Sequence, residues 1–512
     1  MEEISGDKAS NLTQKTVRGF GWLSSSTLLL AFAKLAVVAV MARLLTPEDF
    51  GIMAAAGIFI EIARRLSASG IVFPLVHRET LSQDDIETAF TANLISAFLA
   101  SAIICGCAGL IADFFQMPRL RDILYASSLL FPLYGVAAVS GKLLDRAHRF
   151  VSVAVTDFLG YIIGHVLVAV PMALLGFGVW SLVGAQLATA AVRSLFLFRA
   201  QPHRLRLRIK LAVYFDLMRQ GTAYTIQRFS NIVSLKGDYF VIGRMLNPSA
   251  LGEYERAYVL MNLSNSLLMG PLNRVLFPAF ARIQDDHERI RRAYLRSTAL
   301  VALFFLPAST VCVILGREIV LLLLGDQWEM TVLPFQILAA GLFFRTGYKV
   351  SAVAMNGIGQ VYRSSVSQVV YAILVVGGAF LFIRWGIVGV AISTVVAIAA
   401  VHVMLTGSIM HAVSIKSRDL MSSLLPAIFL SVVTAAIAGG VAEALRAAGA
   451  PSLLVLGAAT LACTVVLALL LLLFPKLLGQ WSRDTISGAA RSMKLMLARR
   501  GLPSGWLGRL AA

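Results

Sequence analysis

Long apolar runs separated by short polar breaks constrain this chain more than any other feature. A helix needs roughly 20 predominantly apolar residues to cross a bilayer. In hydrocarbon every backbone N–H and C=O must also be satisfied inside the segment, so such runs become helices. Fourteen runs are legible, near 20–42, 51–74, 89–113, 121–143, 151–175, 179–199, 221–244, 253–278, 294–316, 331–354, 364–383, 387–408, 423–444 and 452–474. The segment 317–330 reads as re-entrant or interfacial. The expected fold is therefore an all-α polytopic membrane protein of about 14 transmembrane helices. Composition agrees, with 58% apolar and 14% charged residues, against about 45–50% and about 25% in soluble domains. That excludes an ordinary soluble enzyme.

The 45 Lys and Arg against 27 Asp and Glu give a net charge of +18. No nucleic-acid-binding signature accompanies it, and basic inner loops explain it. With the N-terminus inside, 27 of the cations fall on the inner side, seven outside and eleven within spans. That asymmetry predicts a multi-pass protein with both termini inside and an even number of spans. The first apolar stretch is too long for a signal peptide and is expected to be retained. Cys105, Cys107, Cys312 and Cys463 sit in apolar runs and read as buried inert thiols.

The chain repeats. Arg43-Leu44-Leu45-Thr46-Pro47-Glu48-Asp49-Phe50-Gly51 follows the first span, and Arg244-Met245-Leu246-Asn247-Pro248-Ser249-Ala250-Leu251-Gly252 follows the seventh. Gln83-Asp84-Asp85 and Gln284-Asp285-Asp286 keep the same offset, and Gly176-Phe177-Gly178-Val179-Trp180-Ser181 has a looser echo from Gly386. Duplicated halves are a transporter signature with the substrate path between them. The expected organisation is an N-terminal segment 1–19, an N-lobe 20–200 (spans one to six), a basic cytoplasmic connector 201–220, a C-lobe 221–410 (spans seven to twelve), spans thirteen and fourteen within 411–474, and a basic tail 475–512. The tail is expected to lie on anionic lipid.

Charges that remain in a membrane usually face a cavity or a partner. Tyr224, Gln227, Arg228, Asn231, Ser234 and Asp238 recur at three- and four-residue intervals, which places them on one helical face. Lys34, Arg64, Arg65, Gln227, Arg228, Asn231, Lys236, Arg256, Asn262 and Arg345 are the candidates for a cationic, polar substrate cavity. Such a set suits a large anionic ligand bearing sugars. Glu61, Asp157 and Asp238 are the carboxylates that can carry a coupling ion. Structural roles compete with each: Glu61 and Arg65 stand at i, i+4 and can pair, Arg193 can snorkel, and His165 reads as packed. No Walker A sequence or glycine-rich phosphate loop is present, and no metal or cofactor is expected. Glu48 and Asp49 are the adjacent acidic pair expected outside early in the chain, but their repeat counterparts are Ser249 and Ala250, so a catalytic reading is not forced. Asp84-Asp85 and Asp285-Asp286 read as helix caps.

At these residues the chain resembles the Wzx-like lipopolysaccharide and exopolysaccharide flippases of the multidrug/oligosaccharidyl-lipid/polysaccharide exporter superfamily. The resemblance rests on residues 42–51 and 176–183, on DYFVIGRMLNPSALG from Asp238 to Gly252, and on the run from Arg274 to Arg296. It extends over roughly residues 15–410, while spans thirteen and fourteen and the tail match in hydropathy alone. It implies twelve core helices in two lobes plus two more, working by alternating access in the bacterial inner membrane. The implied cargo is an undecaprenyl-diphosphate-linked oligosaccharide, with a polymerase and a chain-length regulator as partners. The competing readings are an ion-coupled drug exporter of the same superfamily, whose often cationic ligands suit this basic interior poorly, and a membrane polysaccharide polymerase.

Overall fold

The computed structural model describes residues 33–474, except 70, 77, 79, 284 and 285, together with residue 481. The segment 1–19, the start of the first span and almost all of the tail 475–512 lie outside the described residues. Among the described residues there is no strand.

The helices follow the apolar runs. The end of the first span is α1 (33–44). Then come α2 (Pro47–Ser69), α3 (Gln83–Phe115), α4 (Pro118–Ser128), α5 (Leu130–Arg146) and α6 (Phe150–Tyr161). A π-helical stretch, Ile162–Ala169, continues α6 into α7 (Val170–Leu174), and α8 (Val179–Ala200) follows. After an extended connector, α9 (Leu211–Met245) and α10 (Pro248–Arg282) are the longest, with α11 (His287–Ile314) and α12 (Gly316–Leu324) next. The chain finishes with α13 (Glu329–Ala340), α14 (Leu342–Gly357), α15 (Val361–Phe382), α16 (Gly386–Ala412), α17 (Ser417–Ala447) and α18 (Ser452–Leu473).

Among the described residues eight helical stretches are long and apolar enough to cross a membrane, and a ninth if α13 and α14, bent by 41°, count as one. One of the eight, Tyr362–Ala412, has 51 residues. At 1.5 Å per residue that is about 77 Å, more than two bilayer cores. It is interrupted at Ile383–Trp385 and at Gly386, where φ is +64°. The expected span 121–143 lies within one membrane-length stretch, Pro118–Arg146, in which α4 runs into α5 through Leu129 at helical φ −64°, ψ −18°. The segment 317–330 forms amphipathic α12 and a 3-10 turn, Asp326–Trp328.

Large apolar side chains stay uncovered along the shafts, among them Leu110, Leu167, Leu381, Leu461 and Leu473. On a soluble protein such a surface would be an aggregation liability; in a bilayer it is the solvent-facing side.

The chain divides into two compact units. The first comprises Met1–Arg256, Leu323–Trp328 and Val375–Val390; the second comprises Ala257–Leu322, Glu329–Leu374 and Ala391–Ala512. In the first unit α6 and its π stretch press closely on α8: a Cβ on Gly164 would stand 2.1 Å from Thr189 Oγ1 and 2.5 Å from the Ala185 carbonyl. Leu75, Phe90, Val139 and Leu217 form a buried cluster joining α3, α5 and α9. In the second unit Tyr294 Oη lies 2.8 Å from Ser351 Oγ and donates to Thr406 Oγ1 at 3.3 Å, a buried seam among α11, α14 and α16. There too Arg446 makes two bonds to the buried Glu318, at 2.7 and 2.8 Å. Burial alone would raise the Glu318 pKa, but the Arg446 hydrogen bond and charge outweigh it and hold the carboxyl below its usual 4.5.

Candidate functional site

Two features of the first unit adjoin: a locked helix junction built from the repeat, and a polar belt that meets it where Arg256 covers Phe50.

The junction starts from two helix caps. Thr46 and Asn247 precede Pro47 and Pro248, the first residues of α2 and α10, and proline is pre-organised for that position. Thr46 N donates to Asp49 Oδ2 at 3.0 Å while Asp49 N donates to Thr46 Oγ1 at 3.3 Å, a reciprocal cap. In the repeat, Ala250 N donates to Asn247 Oδ1 at 2.8 Å. The two caps meet through the glycines five residues on, Gly51 and Gly252. A Cβ on Gly51 would lie 1.7 Å from the Pro248 carbonyl oxygen, and one on Gly252 would lie 1.9 Å from that of Pro47. The contact is reciprocal, as in a two-fold interface where patch i meets j and j meets i. Only glycine admits it.

Asp49 also reaches outward. Its Oδ1 accepts the Val179 N–H at 3.0 Å, satisfying a donor at the start of α8 that has no partner within its helix. Gly178, at φ +54°, packs against the same carboxylate, with a Cβ there 3.1 Å from Oδ1. The Gly-Phe-Gly motif therefore serves Asp49. Trp328 closes α1: its Nε1 donates to the Ala42 carbonyl at 2.9 Å, Gln327 donates to Ala42 and Leu45 at 2.6 and 3.1 Å, and Phe50 stacks edge-on at 5.5 Å.

The polar belt gathers most of the described candidates. Lys34 on α1 holds its ammonium 5.8 Å from the Tyr161 ring, and Tyr161 stacks on His165 at 4.2 Å. Arg256 is within electrostatic reach of Tyr161, bonds Glu255 at 2.6 Å and lies over the Phe50 ring at 4.2 Å. Lys236 sits 3.8 Å over the Tyr239 ring, with Glu255, Asp238, Glu61 and Arg256 in electrostatic reach. Glu61 accepts from Arg64 at 3.0 and 2.6 Å, and Arg64 lies 5.9 Å from Tyr134. Asp157 accepts from Arg193 at 2.6 Å. Asp238 is 2% exposed and accepts from the Tyr254 hydroxyl at 2.8 Å.

Glu61 pairs with Arg64 at i, i+3; the Glu61–Arg65 pairing expected from the sequence falls on a side chain outside the described residues. Arg65 lies on α2, and Gln227, Arg228 and Asn231 on α9, with side chains outside the described residues. Asn262 is half-buried on the second-unit part of α10. Arg345 belongs to the second unit, where it is buried, donates to Tyr258 Oη at 2.6 Å and covers that ring at 4.8 Å. Sequence reasoning missed the tyrosines. The Lys236–Tyr239 spacing of three was a usable signal; nothing local ties Lys34 to Tyr161.

Within the belt the arginines Arg64, Arg193 and Arg256 each hold a carboxylate. Among the described residues no carboxylate stands within ion-pair distance of the Lys34 or Lys236 ammonium. Their charge is stabilised by aromatic faces, a contact worth on the order of 0.5–2 kcal/mol.

A family described as polysaccharide biosynthesis protein matches residues 40–333. The succinoglycan biosynthesis transport protein ExoT of Rhizobium meliloti (strain 1021) is 28% identical over 347 residues, covering 68% of this chain and 70% of that one. The lipopolysaccharide biosynthesis protein WzxC of Escherichia coli (strain K12) is 24% identical over 348 residues, covering 67% and 70%. The solved structure of the lipid II flippase MurJ in its inward closed conformation aligns with TM-score 0.69 at 12% identity, over 88% of this chain and 98% of that one. An inward-facing multidrug resistance MATE transporter aligns with TM-score 0.59 at 16% identity, over 75% and 94%. Both structures share the fold.

Proposed function

We propose that this chain, which belongs to the polysaccharide biosynthesis protein family, is a flippase for lipid-linked oligosaccharides. Its cargo in this reading is an undecaprenyl-diphosphate-linked repeat unit, moved across the bacterial inner membrane by alternating access for exopolysaccharide or O-antigen export.

The observation that carries the reading is the pair of ammonium groups, Lys34 and Lys236, held over tyrosine rings in the polar belt. A diphosphate bearing sugars cannot enter hydrocarbon without a prohibitive desolvation cost. Fixed cations in a hydrated belt lower that cost, the carboxylate-bound arginines add hydrogen bonds, and the lipid tail stays in the bilayer. Gln227, Arg228, Asn231, Asn262 and Arg345 are further candidates for contact with the cargo in this proposal. With both termini inside, the glycine junction lies at the outer face and is the contact that must part for release. The lobes 20–200 and 221–410 are the bodies that rock, and Glu61, Asp157 and Asp238 are the carboxylates through which an ion drives them. A polymerase and a chain-length regulator act on the delivered unit.

An ion-coupled exporter of small cations is the competing reading, favoured by the shared fold with the MATE transporter. The unpaired lysines oppose a cationic ligand.

Gene deletion tests the proposal. Lipid-linked repeat units should accumulate on the cytoplasmic leaflet and return to the outer leaflet on complementation. Single units that reach the outer face and stay unpolymerised would instead favour a polymerase.

A further inference from the structure

The connector between α8 and α9 is more than a tether. From Arg204 to Leu211 the residues read Arg-Leu-Arg-Leu-Arg-Ile-Lys-Leu, a strict alternation of basic and apolar side chains. In an extended chain, period-two alternation sends the two sets to opposite sides. The structure holds residues 203–210 outside any helix, and Leu211 begins α9. Two of its backbone N–H groups are tied to two threonines of α3. Thr91 Oγ1, which donates its own proton to the Glu87 carbonyl at 2.8 Å, accepts the Arg208 N–H at 3.0 Å, and Thr88 Oγ1 accepts the Lys210 N–H at 3.2 Å.

Both ends of the strap are anchored. The His203 ring packs edge-on against Phe90 at 5.0 Å and Phe198 at 5.6 Å. At the other end Lys210 and Arg208 pair with Asp84. Between the anchors the side chains stand free of the protein. Leu205 is 52% exposed and Leu207 71%, and the apolar row continues through Ile209 to Leu211 and Phe215 on α9. Arg204 and Arg206 are exposed on the basic side.

We propose that residues 203–211 form a docking surface for anionic phospholipid at the end of the bundle carrying the α3 N-terminus. An extended backbone cannot enter the hydrocarbon core, because most of its polar groups lack internal partners. It can lie at the headgroup level, with leucines among the acyl chains and arginines on phosphate. Charge decides the class of lipid: one Asp serves Arg208 and Lys210, so Arg204 and Arg206 add cationic charge to a surface that a zwitterionic headgroup does not neutralise. Surface-bound Lys and Arg gain about 1 kcal/mol each from anionic lipid.

The test uses the full chain carrying a photoreactive benzophenone side chain in place of Leu207, in nanodiscs of phosphatidylcholine with phosphatidylglycerol. The probe should crosslink to lipid, with phosphatidylglycerol enriched roughly fivefold or more over its bulk share, the fold-change that 1 kcal/mol per basic side chain gives. R204E/R206E should abolish the enrichment while lipid crosslinking persists, and high salt should weaken it. Crosslinks confined to protein, of this chain or another, would overturn the proposal. So would phosphatidylglycerol labelled only in proportion to its share. Hydrogen exchange over 201–215 in both variants reports whether the strap is still seated on α3. None of these readouts depends on what the protein transports.

Discussion

Asp49 accepts the Val179 N–H at 3.0 Å while its other oxygen accepts from Thr46 N and Oγ1 at 3.0 and 2.9 Å. One carboxylate thus caps α2 and α8 together, beside the glycine junction. Asp49→Ala removes hydrogen bonds made to a charged group, each worth about 1.5–3 kcal/mol. Neighbouring water recovers part of this, so a net loss of about 2 kcal/mol is expected. Thermal unfolding in detergent should fall by several degrees, and Asp49→Asn should recover part of the loss.

Gly51→Ala and Gly252→Ala each put a methyl group into a backbone carbonyl. Each should disfavour the packed junction by roughly 1–3 kcal/mol, the range for overpacking. The reciprocal geometry predicts similar effects from both. Spin labels at residues 48 and 249, in a background lacking the four native cysteines, should show a short distance in the parent and a longer population in either variant. Unchanged distributions in both variants would mean that the junction yields without opening.

The two lysines should set affinity for the headgroup. Lys34→Gln and Lys236→Gln should each weaken binding of undecaprenyl diphosphate about tenfold, a loss on the order of 1.4 kcal/mol. Tyr239→Phe keeps the ring that Lys236 faces and should bind as the parent does. Calorimetry on the purified protein reads both.

Acid should loosen the second unit. Glu318 has a lowered pKa in the folded protein, so its contribution is complete above the unfolded value of about 4.5 and is lost as pH falls through the folded value. Thermal stability should be flat with respect to this group above that point and decline below it. Glu318→Gln should flatten the acid limb and lower stability at neutral pH. Arg446→Ala leaves Glu318 without its described partner and should be the more damaging change at neutral pH.

The helices were legible because apolar run length is a local property. Lys34, Glu61, Arg64, Asp157 and Lys236 were picked out by charge in hydrocarbon, which is local too. Partners were not. Asp157 and Arg193 lie 36 residues apart, and no spacing rule links them. The repeat revealed Gly51 and Gly252 as equivalents, yet their mutual packing is a tertiary fact that no periodicity encodes. The same holds for Asp49, whose second partner is 130 residues away, and for Trp328, whose indole closes α1. The expected polar face of α9 can be judged only at Ser234, which is buried, and at Asp238, which is buried and bonded to Tyr254.

Reconstitution tests the central claim most directly. Purified protein in proteoliposomes, with a fluorescent undecaprenyl-diphosphate oligosaccharide initially in one leaflet, should make the sugar accessible to a membrane-impermeant quencher in the other. The rate should exceed that of protein-free vesicles and should fall in Lys34→Gln and Lys236→Gln. Rates equal to protein-free vesicles under an imposed ion gradient and membrane potential, alongside transport of a small cation by the same preparation, would contradict the account and establish the exporter instead.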